Sequence, residues 1–281
     1  MKLCRWGRNG FEKPGMIDAQ GQLRDLSGVI SNIDQETISP RGLSKLRKIR
    51  AESLPLVKSN PRFGVPYTGI SKFVAIGLNY IDHAKEAGAQ IPTEPVIFMK
   101  TTTSISGPND DIVTPKNSTK LDYEAELAVV IGKHARHLTR ANALDCVAGY
   151  SCYNDGSIRD YQRKTNQWTI GKNFDATGGF GPWLVTPDEL PAGAAGLRVQ
   201  SRLNGKVMQD ANTNDFLFNV VESLCIITEC MTLEPGDVII TGTPAGVGYA
   251  RTPPVWMAPG DVCEIDIEGV GVLVNTIVDE S

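Results

Sequence analysis

In the stretch LDYEAELAVVIG, residues 121–132, Glu124 and Glu126 stand two positions apart, directly ahead of an apolar run. Alternate side chains leave a strand on one face, with Cα atoms roughly 6.5 Å apart, so this spacing projects two carboxylates together. One reading is a strand edge turned to solvent, since half-buried strands alternate in this way. Against it stands the run Leu127 to Ile131, which reads as buried on both sides. Two like charges entering a dry region repel and lose hydration, so one must take up a proton or a cation must sit between them. A divalent ion answers that need: Mg²⁺ takes one or two protein carboxylates, keeps waters and leaves positions for a substrate. A further oxygen is available from Asp155 in GYSCYNDGSIRDYQ, at a strand-to-helix junction where helix N-capping is the competing role. No cluster of histidines and cysteines is present, which argues against zinc.

Other residues could act on a ligand held there. His83 and Glu86 in GLNYIDHAKEAG lie at i and i+3 of a short helix and share a face. An imidazole held by a carboxylate is a competent general base near neutral pH, and a surface polar pair is the alternative. His134 and His137 flank a basic loop, KHARHLTR, and read as a solvated turn. Lys172, among apolar residues and glycines in IGKNFDATGGFGP, either meets an anionic ligand or snorkels to the surface. The segment TGTPAGVG, 241–248, lacks the ending of a phosphate loop and no helix follows it, which excludes nucleotide binding. It reads as a ligand-lining loop at a strand end, offering the Thr243 hydroxyl and backbone amides.

The elements that must position these groups are mostly short strands. Residues 1–30 read as strands and turns, 39–53 as a short basic helix, and 55–69, with three prolines and two glycines, as a linker. A boundary near residue 70 therefore separates a small N-terminal domain from a larger domain over 71–281, which holds the candidate site residues. Strands are expected at SKFVAIG, PVIFMK and 121–132, and 107–115 as a loop. A helix-then-strand follows over TRANALDCVAGYSCYND, with SIRDYQRK helical. Thr186-Pro-Asp-Glu189 has the form of a capping box. Asn204-Gly205 marks a hairpin. DFLFNVVESLCIITECM reads as an amphipathic helix with Asp215 near its N-cap. The near-identical turns EPGDVI and APGDVC introduce two strands, and a hairpin follows around EGVG. Regular βαβα alternation is absent, so the class is mainly β with short helices, α+β, and neither a Rossmann nor a TIM architecture.

The 281 residues, 41% hydrophobic and 21% charged, fit an ordinary globular chain. The net charge of −4 and the lack of a basic block argue against nucleic acid as a partner. No window approaches an uninterrupted membrane span, and the opening MKLCRWGRNG has no apolar signal region. Six cysteines without a C-x-x-C pair fit a reduced, cytoplasmic chain.

GLNYIDHAKE, PVIFMK, DYEAELAVVIG, YNDGSIRDYQ, GKNFD with GP shortly after, and PGDVIITGTPAGVG occur in this order over residues 70–281. Together they resemble the fumarylacetoacetate hydrolase family. The first 70 residues resemble, less specifically, the N-terminal extension of longer bacterial members. MKLCRWG and the whole layout are similar to hydrolases of 2,4-diketo-3-deoxy sugar acids, of the L-rhamnonate and L-fuconate type, and acylpyruvate hydrolases are near relatives. The resemblance implies a fumarylacetoacetase-like mixed β-sandwich roll, a homodimer, and one Mg²⁺ or Mn²⁺ per subunit. It implies metal ligands at Glu124, Glu126 and Asp155, and a general-base pair at His83 and Glu86. It places at Lys172 the lysine that polarises water or a developing oxyanion. Arg159 and Gln162 match substrate-binding residues, and Lys100 and Thr243 further residues of the pocket. The implied enzyme is a hydrolase acting on carbon–carbon bonds in ketonic substances, cleaving a β-diketo acid to pyruvate and a carboxylic acid. The same site also suits an oxaloacetate-type decarboxylase or a keto-enol isomerase. A non-catalytic scaffold on the same fold is the remaining alternative. Asn166, Gln167 and Trp168 are candidates for the side pocket that selects the substrate.

Overall fold

The computed structural model describes all 281 residues, and the chain is mainly β with five short α-helices. The large sheet runs in the order Leu23–Asp25, Lys13–Ile17, Lys2–Trp6, Gly178–Val185, Val147–Asn154, Ala125–Ile131, Val238–Ile240, Phe73–Gly77, Val96–Lys100. A second sheet is ordered Lys206–Asn212, Arg198–Leu203, Val262–Ile267, Gly271–Asp279, Ile112–Thr114. Parallel pairs interrupt an otherwise antiparallel arrangement, at Val238–Ile240 with Phe73–Gly77 and at Gly271–Asp279 with Ile112–Thr114.

The strand Ala125–Ile131 explains its own apolar sequence. It lies between two neighbours, and all seven of its residues are buried. Ala125, Leu127, Val129 and Ile131 enter the core between the sheets, while Ala128 and Val130 enter a core on the opposite face. A period of two with both faces covered gives a continuous hydrophobic run. The second core contains Leu3, Met16, Ile33, Leu43 and Leu46, so residues 1–70 contribute to a shared core and, through Lys2–Trp6, to the shared large sheet. No helix is long and apolar enough to cross a membrane.

Several local expectations need correction. The strand expected across 121–132 is interrupted: Leu121–Asp122 pairs with Ser157–Ile158, and the long strand starts only at Ala125. Between them the Glu124 N–H donates to Asn154 Oδ1 at 3.0 Å and its carbonyl accepts from Asp155 N at 2.9 Å, so its backbone bonds leave the regular ladder. Residues Ile112–Thr114, within the expected loop, form an edge strand. No capping box forms at Thr186, whose hydroxyl accepts instead from the Met1 amino group at 2.6 Å. Asp215 belongs to a separate single turn with Asn212. The helix Val220–Cys230 is capped by Asn219, which accepts from Glu222 N while Glu222 accepts from Asn219 N. The hairpin at Asn204-Gly205 forms as expected, with φ of 52° and 77°.

Candidate active site

The break at Glu124 and the start of Ala125–Ile131 bring three carboxylates together. One oxygen from each of Glu124, Glu126 and Asp155 lies within 4.8 Å of the others, and all three residues are buried, at 4%, 2% and 0% exposure. The solvent-facing reading of the glutamates therefore fails. So does the capping reading of Asp155: the helix Arg159–Gln162 starts after Ile158 with no side-chain cap.

Cations surround the triad unevenly. Lys172 Nζ lies 2.5 Å from Glu124 Oε2 and 2.6 Å from Asp155 Oδ2. Lys100 Nζ is 2.6 Å from Asp155 Oδ1, and Arg159 Nη2 is 2.6 Å from Glu124 Oε1. Glu126 has no cation partner; its Oε2 accepts from the Gly242 backbone N–H at 2.7 Å. Burial opposes ionisation of Glu124, but Lys172, Arg159 and His83 outweigh it and hold the carboxyl at about 2. Burial pushes the Glu126 carboxyl well above its ordinary value, and Asp155 and Glu124 push it the same way. Lys172, although buried, is raised by Asp155 and Glu124, so it stays charged. It is 2% exposed, which excludes the snorkelling alternative.

This charge pattern suits a hard divalent cation. The donors are all oxygens, as Mg²⁺ and Mn²⁺ prefer, and one of the three carboxylates, Glu126, makes no ion pair. The triad could therefore hold such an ion, and binding it would displace a proton from Glu126. The sign follows from the raised Glu126 value. In the metal-free protein this group contributes stability below the ordinary glutamate range, and that contribution is lost as pH rises above it. A divalent cation reverses the trend, so Mn²⁺ affinity and the Mn²⁺-induced rise in Tm are expected to increase with pH. Calorimetric titration over a pH series that starts in the ordinary glutamate range and rises from there checks this, and a pH-independent affinity contradicts it.

Lys172→Met would leave Glu124 and Asp155 without their shared ammonium. Removing one partner of a buried ion pair costs about 3–5 kcal/mol. The expected result is a loss of that order in metal-free urea unfolding, partly restored by Mn²⁺.

Glu124 and Glu126 open onto a cavity of about 190 Å³, lined also by His83, Arg159, Gln162, Lys172 and Thr243, while Asp155 lies behind them, outside the lining. The turn Gly77–Tyr80 shapes one wall. Leu78 sits at φ 55°, and the buried Asn79 ties this turn to Phe218 and to the Thr241 carbonyl. His83, on the helix Ile81–Glu86, is 6% exposed, so it is not a surface group. Its Nδ1 is 3.4 Å from Glu86 Oε2, the long end of a hydrogen bond, and Glu86 also accepts from Gly246 N at 2.9 Å. Gly246, at φ 104°, carries this loop past Met208, whose carbonyl would lie 2.3 Å from an added Cβ. Lys100 is buried behind the triad and donates to the Lys172 carbonyl; it supports the site from outside the cavity lining. His134 and His137 are exposed, as expected of a solvated turn.

Other contributors were not apparent from the sequence. Gln209, on the second sheet, donates to Thr243 Oγ1 at 2.7 Å and accepts from Ala125 N at 3.0 Å, joining the loop to the long strand. Tyr249 and Arg163 line the cavity, and the Tyr249 ring lies between the Arg159 and Arg163 guanidinium groups at 4.5 and 4.4 Å. Of the three side-pocket candidates, Trp168 lines the cavity beside Phe98; Asn166 and Gln167 do not.

A pocket beside a buried acidic triad, with three cations paired to that triad and a histidine–carboxylate pair, set on a mixed β fold, defines an enzyme. The fumarylacetoacetate (FAA) hydrolase C-terminal family matches residues 72–278, and the chain belongs to that family. It is 48% identical over 273 residues to a 2,4-didehydro-3-deoxy-L-rhamnonate hydrolase of Sphingomonas sp. strain SKA58, covering 96% of this chain and 94% of that one. The fold is that of a fumarylacetoacetate hydrolase from psychrophilic Exiguobacterium antarcticum, with a TM-score of 0.86, 36% identity and full coverage of both chains. The maleylpyruvate hydrolase of Sphingobium sp. SYK-6, solved with manganese(II) and pyruvate, aligns with a TM-score of 0.83 at 27% identity, again over both whole chains.

Proposed function

We propose that the protein is a Mg²⁺- or Mn²⁺-dependent hydrolase that cleaves the C–C bond of a β-diketo acid, an acylpyruvate or a 2,4-diketo-3-deoxy sugar acid, to pyruvate and a carboxylic acid. The observation that carries this reading is the meeting of Glu124, Glu126, His83 and Arg159 on one small cavity, with Asp155 completing the carboxylate cluster just behind it. The similarity to a sugar-acid hydrolase and to a maleylpyruvate hydrolase supports it. We extend the family likeness to a homodimer, and the six unpaired cysteines to a cytoplasmic location.

Glu124, Glu126 and Asp155 would hold the ion, which when bound supplies Lewis-acid charge to a keto acid and to the enolate it becomes. Arg159 directs Nε to Asp122, Nη1 to Gln162 and Nη2 to Glu124, so its remaining donors can meet the substrate carboxylate beside Gln162. His83, with Nδ1 turned to Glu86, keeps Nε2 free to take a proton from water attacking the distal carbonyl. Lys172 gives two N–H groups to carboxylates and retains a third for the oxyanion that forms there. Collapse of that oxyanion breaks the C–C bond. The electron pair passes to the methylene carbon as pyruvate enolate, which a proton then quenches. Ile76, Leu78, Phe98 and Trp168 form an apolar wall that limits bulk water.

The discriminating assay compares an acylpyruvate with oxaloacetate in H₂¹⁸O. Hydrolysis releases pyruvate and places ¹⁸O in the acid product. Faster carbon dioxide release from oxaloacetate, without acylpyruvate cleavage, would instead indicate the decarboxylase.

A further inference from the structure

Asp122 is buried at 0% exposure and has no part in the triad, yet it joins two separate walls of the cavity. Its Oδ2 accepts from Arg159 Nε at 2.8 Å and from Tyr249 N at 3.1 Å. Its Oδ1 accepts from Gly248 N at 2.7 Å and from Tyr123 N at 2.9 Å. The carboxylate thus holds both the Arg159 guanidinium and the loop whose Tyr249 ring stacks on it at 4.5 Å. The loop approaches so closely that a Cβ on Gly248 would lie 2.5 Å from Asp122 Oδ1 and 1.9 Å from the Val255 carbonyl.

We propose that Asp122 is a positioning residue for substrate recognition: it fixes the plane of Arg159 and clamps the Tyr249 loop over it, so that the free guanidinium donors face the keto-acid carboxylate. This rests on the proposed role of Arg159 in binding that carboxylate. A guanidinium has five donors in a rigid fork, and its specificity depends on the angle of that fork. Nε and Nη2 are engaged by Asp122 and Glu124, and Nη1 by Gln162. Loss of the Nε acceptor leaves the fork held only at Nη1 and Nη2, so its angle is no longer fixed from behind, and the Tyr249 backbone N–H loses its acceptor with it.

The test is a double-mutant cycle of Asp122→Asn and Arg159→Gln, read as pyruvate affinity of the Mn²⁺-loaded protein and as KM and kcat on an acylpyruvate. Asp122→Asn is expected to weaken pyruvate binding and raise KM by about 10–100-fold, the usual loss of a charge-assisted hydrogen bond. The kcat should stay within a few-fold, the Mn²⁺-induced rise in Tm should persist, and the double variant should bind pyruvate no more weakly than Arg159→Gln alone. Unchanged pyruvate affinity in Asp122→Asn, or losses that multiply in the double variant, would overturn the proposal. Should Asp122→Asn fail to fold, Gly248→Ala displaces the same loop without altering charge and must weaken pyruvate binding; wild-type affinity in that variant also overturns it. The affinity readout does not require C–C cleavage, so it stands apart from the test of the reaction.

Discussion

Glu126→Gln is expected to give a folded protein that is at least as stable as the parent without metal, yet has lost the metal response and about 10³-fold of its activity. The two halves have one cause. Glu126 is buried beside two other carboxylates and receives only the Gly242 N–H. An ionised Glu126 is therefore a burden on the metal-free fold, and the neutral amide keeps the Gly242 hydrogen bond while removing the repulsion. The same change takes away a ligand. Lewis-acid stabilisation is worth several kcal/mol of transition-state energy, and each 1.36 kcal/mol is tenfold in rate. Thermal unfolding with and without Mn²⁺, together with kcat, tests both halves. A variant that keeps the Mn²⁺-induced rise in Tm would remove Glu126 from the ligand set.

His83→Ala separates chemistry from binding. Positioned proton transfer contributes about 10²–10⁴-fold, so kcat is expected to fall by that factor while KM and the Mn²⁺ response stay near those of the parent. The separation is expected because His83 touches Glu86 and the cavity but offers no oxygen to the triad. Wild-type kcat on an acylpyruvate would remove His83 from the base role and favour chemistry that needs no activated water.

The parts of this site visible in the sequence are those whose local pattern conflicts with their surroundings. Glu124 and Glu126 are conspicuous because a period-two pair of charges runs straight into residues buried on both faces. His83 and Glu86 share a helix face at local spacing. Lys172 is ambiguous on local grounds, since a lysine among apolar residues can be buried or can snorkel, and only the arrival of Glu124 and Asp155 from other strands decides it. Asp122 follows the same alternation as the glutamates, two residues earlier, but its role depends on Arg159 and Gly248 meeting it from distant segments. Gln209 comes from a different sheet and carries no signal in its own hairpin. The strand break at Glu124 has the same origin: an Asn154 side chain replaces a ladder partner, which no propensity scale registers. The helix cap lies one turn beyond Asp215, at Asn219, because Asp215 is used by the separate turn that Asn212 caps.

Glu124, Glu126 and Asp155 are proposed to grip one divalent cation beneath the keto-acid pocket. Anomalous diffraction from crystals grown with Mn²⁺ and pyruvate tests it most directly. The expected map has a single strong peak within about 2.0–2.3 Å of one oxygen from each of the three carboxylates, with pyruvate between it and Arg159. Ordered carboxylates turned away from one another, with no manganese among them, would contradict it.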